Sequence, residues 1–182
     1  MRMLFVGVSS WIIQDGNYGD FTVGDIAKFA LEFYPHSMEP AQSQEQIIDR
    51  IKASRYRVRG RVIYASQSAW VIDFGPMAYQ NQAAPPRFET DSWVEGEVYL
   101  GIDPFFYFEE LYALPGMPTL QHEWHIRRLF LETTPWLTTT DDRGRITLTR
   151  DEQQESYIEV PKTYAWEDDN GNAHYVLECE LR

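Results

Sequence analysis

Several residues in this chain have types and spacing that bear on chemistry. "HEWH" (His122 to His125) sets two imidazoles around a glutamate, the composition of a zinc hydrolase motif. Its spacing is i and i+3, whereas the helical metal motif needs i and i+4. The residues that follow read as a strand, which would point His122 and His125 to opposite faces. His36 and His174 are remote in sequence, so no metal site is expected. Cys179 is the only cysteine. As a nucleophile it would need a base and a depressed pKa, and its neighbours Glu178 and Glu180 would raise that pKa. Burial as a small hydrophobe is the better reading. No G-x-S-x-G, Walker or dinucleotide glycine pattern is present, so no catalytic residue and no cofactor is expected.

Carboxylates in pairs can work as acid and base, and Asp73, Glu95, Glu97, Asp103, Glu109 and Glu110 gather in the middle of the chain. Six of the 16 Lys and Arg fall between Arg50 and Arg61. If the strand carrying Asp73 lies between the arginine and glutamate rows, the rows stand roughly 10 Å apart with Asp73 bridging them. With Tyr56, Tyr64 and Trp93 close by, the basic stretch resembles a platform for single-stranded nucleic acid. The formal net charge of −12 opposes that reading. A solvated, charge-complementary sheet face is expected instead. Its candidate binding residues are Trp93, Tyr64, Arg59, Arg61 and Asp73.

Strands must position these groups. In "RVRGRVIYASQSAWVIDFG" (Arg57 to Gly75), Tyr56, Val58, Gly60, Val62 and Tyr64 share an inward face with the arginines opposite. "ASQS" makes a turn, and Trp70, Ile72 and Phe74 face inward on the return strand. In "SWVEGEVYLG", Val94, Gly96, Val98 and Leu100 face inward. A glycine inside a strand marks a bulge, a bend or a close backbone approach. Two of them, Gly60 and Gly96, fit a sheet coiled enough to close into a small barrel. "GDIAKFALEFY" (Gly24 to Tyr34) fits a helical stripe too, but a strand is preferred. "SQEQIIDRIKAS" (Ser43 to Ser54) opens with a capping-box pair, Ser43 and Gln46, and carries an isoleucine stripe. It is expected as a helix capping the sheet. Toward the C-terminus, "EWHIRRLFLETTPW" and "RITLT" read as strands. Asn170-Gly171 suits a tight turn, which predicts a closing hairpin. In its last strand Tyr175, Leu177, Cys179 and Leu181 share a face. Setting Trp11 on Trp70 aligns residues 2–34 weakly with 57–101, a sign of internal duplication.

The expected fold is therefore mainly β: a strongly coiled antiparallel meander or barrel, OB-like in general shape, in one domain over 1–182. At 182 residues the chain can hide roughly 70% of its extended surface. No apolar run approaches the ~18 residues of a spanning helix, so no membrane association is expected. With one cysteine and no disulfide, the cytoplasm is the expected compartment. The expected function is a non-catalytic binding or interaction protein, in its sharper form an acidic partner or inhibitor of a basic protein. The alternatives are a barrel holding a small ligand and a carboxylate-dependent enzyme.

Overall fold

The computed structural model describes residues 3–182, so Arg2, which begins the first unit of the internal similarity, lies outside the described residues. In chain order the elements are β1 (Met3–Ser9), α1 (Ser10–Gln14), β2 (Ile26–Phe29), β3 (Leu31–Pro40), β4 (Ile47–Lys52), β5 (Arg55–Ala65), β6 (Trp70–Asp73), β7 (Met77–Gln80) and β8 (Trp93–Ile102). There follow α2 (Phe106–Glu109), β9 (His122–Glu132), β10 (Trp136–Thr140), β11 (Ile146–Arg150), β12 (Tyr157–Val160) and β13 (His174–Leu181). No helix among the described residues is long and apolar enough to cross a membrane.

Five strands close into a barrel. β8 pairs antiparallel with β3 along one edge and with β5 along the other. From β3 the ring continues through a parallel pairing to β7, then through β6 back to β5. The alternation dictates what fills it: Phe33, Val58, Val62, Trp70, Ile72, Phe74, Val94 and Val98 are each at most 1% exposed. Side chains pack this interior as they pack any protein core.

The same sheet continues beyond the barrel as an outer layer where Gly7 of β1 bridges Gly101 of β8 in parallel. β1 pairs with β13, and β13 with β9. The far edge of β9 is shared, with β2 along its first half and β12 along its second. One buried cluster joins the inner faces of the barrel and the outer layer, from Leu4 and Val6 through Leu129 and Leu177 to Val98. A smaller cluster lies outside the barrel wall, where Tyr107, Leu111 and Leu120 cover Val71 and Tyr79. Val71 thus points away from the barrel and is still buried.

Three expectations need correction. The capping helix expected over residues 43–54 is a strand, β4, paired with β5 from Arg59 to Arg55. β6 covers β5 only from Arg61 onward, which leaves this edge open. The isoleucines, stiff at χ1, suit a strand better than a helix. The two capping-box residues serve the sheet: Ser43 Oγ accepts from Arg59 at 2.7 Å, and the Gln46 amide donates to the Asp73 carboxylate at 2.9 Å. The C-terminal hairpin is also absent as such. Residues 169–171 do turn with positive φ, but β12 and β13 lie on opposite edges of β9, not against each other. Lastly, Trp11 sits on α1 and Trp70 is buried on β6, so the pair anchoring the internal alignment is not structurally equivalent. The ambiguous segment after Gly24 forms two strands, β2 and β3, as preferred.

Candidate functional site

The arginine and glutamate rows are direct neighbours. β5 lies against β8 with Arg57 opposite Glu97 and Arg59 opposite Glu95, so no strand separates them and Asp73 bridges nothing between them. Arg59 Nε meets Glu95 at 2.5 Å, and Arg55 and Arg57 approach Glu97 at 3.6 and 3.8 Å. Arg61 is flanked by Trp93 on β8 and by Asp73 on β6. The outer barrel face therefore gathers Arg59, Arg61, Asp73 and Trp93. Tyr64 is elsewhere: a register slip between Val62 and Tyr64 sends it off the inward face toward the cluster under α2. Beside the ladder runs a groove of about 320 Å³, lined by Ile47, Arg57 and Glu95 among others. Its cations already face carboxylates, and such exposed pairs contribute little individually.

Of the carboxylates gathered in the middle of the chain, Asp73 and Asp103 are separated by the fold. Asp103 is fully buried, accepting from the Tyr79 hydroxyl and from the Tyr107 amide at 3.0 Å. Its charged neighbour is Glu32, which stands in register with Tyr79 and Gly101 and accepts the Tyr34 hydroxyl at 2.5 Å. Glu32 is only 4% exposed. Burial pushes its pKa up to about 7 against the pull of the Tyr34 hydrogen bond, with Asp103 adding a smaller upward push. Burial also raises Asp103, and it raises Tyr34 and Tyr79 with the neighbouring carboxylates adding to it. This is a tyrosine-clamped carboxyl pair behind α2. Nothing in the sequence marks Glu32, which occupies an ordinary outward position on a strand. Glu109 and Glu110 are exposed at the end of α2.

His122 and His125 sit at positions of opposite parity on β9, and among the described residues no group of three His, Cys, Asp or Glu is placed to hold a metal. Cys179 is fully buried, and burial pushes its thiol pKa up, with Glu178 adding to the rise.

Exposed aromatic side chains lie elsewhere. α1 is tied to the turn before β13, because Gln14 Nε2 donates to the carbonyls of Ala165 and Gly171 at 2.7 and 2.9 Å. Each side of that junction carries an exposed tryptophan: Trp11 is 50% and Trp166 72% exposed. Tyr164 is exposed beside Trp166, and Glu167, Asp168 and Asp169 follow. Asp169 in turn fastens the two-stranded arm formed by β10 and β11. It accepts from Trp136 Nε1 at 2.9 Å and from Arg150 at 2.5 Å. Along the arm Leu137, Ile146 and Leu148 stand in solvent. The signal for this shelf was the run "WEDD" (Trp166 to Asp169), in which an indole meets three carboxylates within a turn.

Compared with known proteins, the chain matches no family model, no curated protein and no solved structure.

Proposed function

We propose that this is a non-catalytic binding protein, an acidic partner or inhibitor of a basic protein, engaging it through the shelf of Trp11, Tyr164 and Trp166 and the adjoining arm. The observation that carries this is the exposure of two tryptophans, one followed by Asp15 and the other by Glu167, on a chain of net charge −12. Exposed aromatics gathered in one place favour a protein interface. Arginine and lysine side chains of a partner would stack on the indoles and meet the carboxylates, while the overall charge would steer the encounter.

The competing readings have less support. A ligand inside the barrel conflicts with its packed interior. A carboxylate enzyme built on Asp73 and Asp103 would need them in one site, and one lies on the outer face while the other is buried. A single-strand platform would need free cations, and Arg57 and Arg59 each face a glutamate. Any OB-like comparison is one of shape and brings no function with it.

The test is capture of basic proteins from a lysate on the immobilised chain at low and at high salt, beside a Trp166→Ala, Glu167→Gln variant. Basic partners retained at low salt, released at high salt and absent from the variant are the expected result. Retention indifferent to both salt and variant would sink the reading.

A further inference from the structure

A cleft of about 450 Å³ opens between the barrel and the outer strands. On the barrel side it is walled by the turn joining β4 to β5 and by Tyr99. On the other side stand Glu132, Arg150 and Tyr157, with His174 beneath. The volume lies within the range of small-molecule sites. Its lining carries three cations, Lys52, Arg55 and Arg150, and three carboxylates, Glu132, Glu152 and Glu155.

Which of these charges are already satisfied decides what the cleft can take. Lys52 and Glu155 pair at 2.8 Å. Arg150 is committed to Asp169 at 2.5 Å and to the Thr134 carbonyl at 2.7 Å, with its guanidinium 3.7 Å over the Trp136 ring. Glu132 reaches Arg150 only at 4.0 Å, beyond hydrogen-bond range, with its side chain 12% exposed. Arg55 Nε is shielded from solvent and has no hydrogen-bond partner among the described residues; the Glu97 carboxylate stands off at 3.6 Å. Glu132 and Arg55 therefore line the same cleft with hydrogen-bonding capacity to spare: Glu132 is largely enclosed without a close cation, and Arg55, whose side chain is 38% exposed, keeps most of its guanidinium open to solvent. Between the charges the cleft offers neutral groups. His174 contacts Ser9 Oγ through Nδ1 at 3.2 Å, which leaves Nε2 on the ring edge that lies over Gly7. Burial holds this imidazole in its neutral form at pH 7. Tyr157 is likewise kept neutral by burial and by the nearby Glu132.

We propose that this cleft binds a small zwitterion of the free amino acid class, its ammonium on Glu132, its carboxylate on Arg55, and His174 and Tyr157 supplying neutral hydrogen bonds between. Equal numbers of cations and carboxylates in the lining suit a ligand with no net charge. A phosphate or nucleotide would meet three carboxylates on a chain already at −12, and a neutral sugar would leave both charges unpaired. This proposal does not rest on the interaction reading, although Arg150 of the arm lines the cleft.

The experiment titrates the full chain with each standard amino acid singly at millimolar concentration, following thermal shift and the histidine ring resonances. Glucose, inorganic phosphate and adenosine monophosphate serve as comparisons. At least one amino acid should raise Tm and move the His174 resonances while leaving those of His36 in place. Its N-acetyl and its methyl ester forms should each bind about tenfold or more weakly, the ~1.4 kcal/mol scale of one charged interaction. Glu132→Gln should weaken binding similarly, and Trp166→Ala should leave it unchanged. The blocked ligands keep the test decisive if Glu132→Gln fails to fold. No binding by any amino acid, equal binding of the blocked forms, or equal binding of glucose or phosphate would overturn the proposal.

Discussion

Gly96 of β8 runs so close to Ser37 of β3 that a methyl group on its α-carbon would overlap the Ser37 carbonyl oxygen and stand 2.8 Å from the carbonyl carbon. The β3–β8 register slips at this place, between Pro35 and Ser37. Gly60 of β5 has the same relationship to Asp73 of β6, whose carbonyl carbon would also lie 2.8 Å from an added Cβ. Neither glycine adopts a positive φ. Their role is to admit a neighbouring backbone where the barrel wall folds tightly on itself.

Gly96→Ala and Gly60→Ala should therefore each destabilise the fold by at least the ~1–3 kcal/mol typical of overpacking, since a backbone carbonyl cannot swing aside as a side chain can. Gly19 has open space around its α-carbon and no positive φ, so Gly19→Ala should be neutral or slightly stabilising. Urea denaturation of the three variants checks this. A Gly96→Ala protein as stable as the Gly19→Ala protein would show that the wall relaxes there.

Stability should fall as pH rises through the range set by Glu32. Its carboxyl titrates near the ordinary 4.5 when unfolded and at about 7 when folded. Below 4.5 both states carry the proton, and the group is neutral in its effect. Between 4.5 and 7 the folded state holds a proton that the unfolded state has released, so each rise in pH favours unfolding. Above 7 the full penalty applies, on the order of 3 kcal/mol. Asp103, raised in the same direction, adds to the trend. Glu32→Gln keeps an acceptor for Tyr34 and removes the charge. It should be more stable than the parent at pH 8, with a flatter profile from pH 5 to 8. A parent protein that gains stability over that range would contradict the burial cost.

Strands whose two faces meet different surroundings were legible in the sequence, because alternation records that difference directly. β6 and β8 present Trp70, Ile72, Val94 and Val98 to the barrel as their period of two requires. Where a bulge intervened, alternation misled: beyond Val62 the face reverses, and Tyr64 leaves the core face. β4 was illegible because nearly all of it is exposed. Its identity comes from the open edge of β5, a long-range fact, while its local pattern favours a helix. The closing hairpin failed for a similar reason. The turn at Asn170-Gly171 was readable, but which strand each arm would join was settled by β9, far earlier in the chain. The clefts and the shelf combine residues from such distant segments, so type and spacing along the chain could not collect them. The order of the ladder was misread as well: alternation put the arginines, Asp73 and Trp93 on the outer face, but not that the arginine strand lies directly against the glutamate strand with Asp73 beyond it.

Cys179 tests the register of the outer layer. It pairs with Leu4 and Ile126 and is fully enclosed, although Leu181, at the end of the same face, is exposed. A polar thiol reagent should label the native protein slowly and the denatured protein at once, since reaction requires β13 to open. Cys179→Ser would introduce a buried hydroxyl and should cost on the order of 1–3 kcal/mol. Fast native labelling would mean that the β1–β13–β9 ladder opens readily.

Asp169 should govern the arm without governing the fold. An isolated pair of strands is marginal in water, and both strands of this arm are almost wholly exposed. It is fastened by a carboxylate that receives both Trp136 and Arg150, with the guanidinium stacked on the indole and bonded also to the Thr134 carbonyl. Asp169→Ala removes the shared acceptor, and a hydrogen bond to a charged group contributes about 1.5–3 kcal/mol. Because the arm contributes nothing to either buried cluster, the effect should appear as faster amide exchange in residues 136–150 and altered Trp136 fluorescence. The global Tm should move little. Arg150 also lines the cleft, so a loosened arm should carry its guanidinium away from Glu132. Amide exchange in the arm that is unchanged by Asp169→Ala would show that the strands hold themselves.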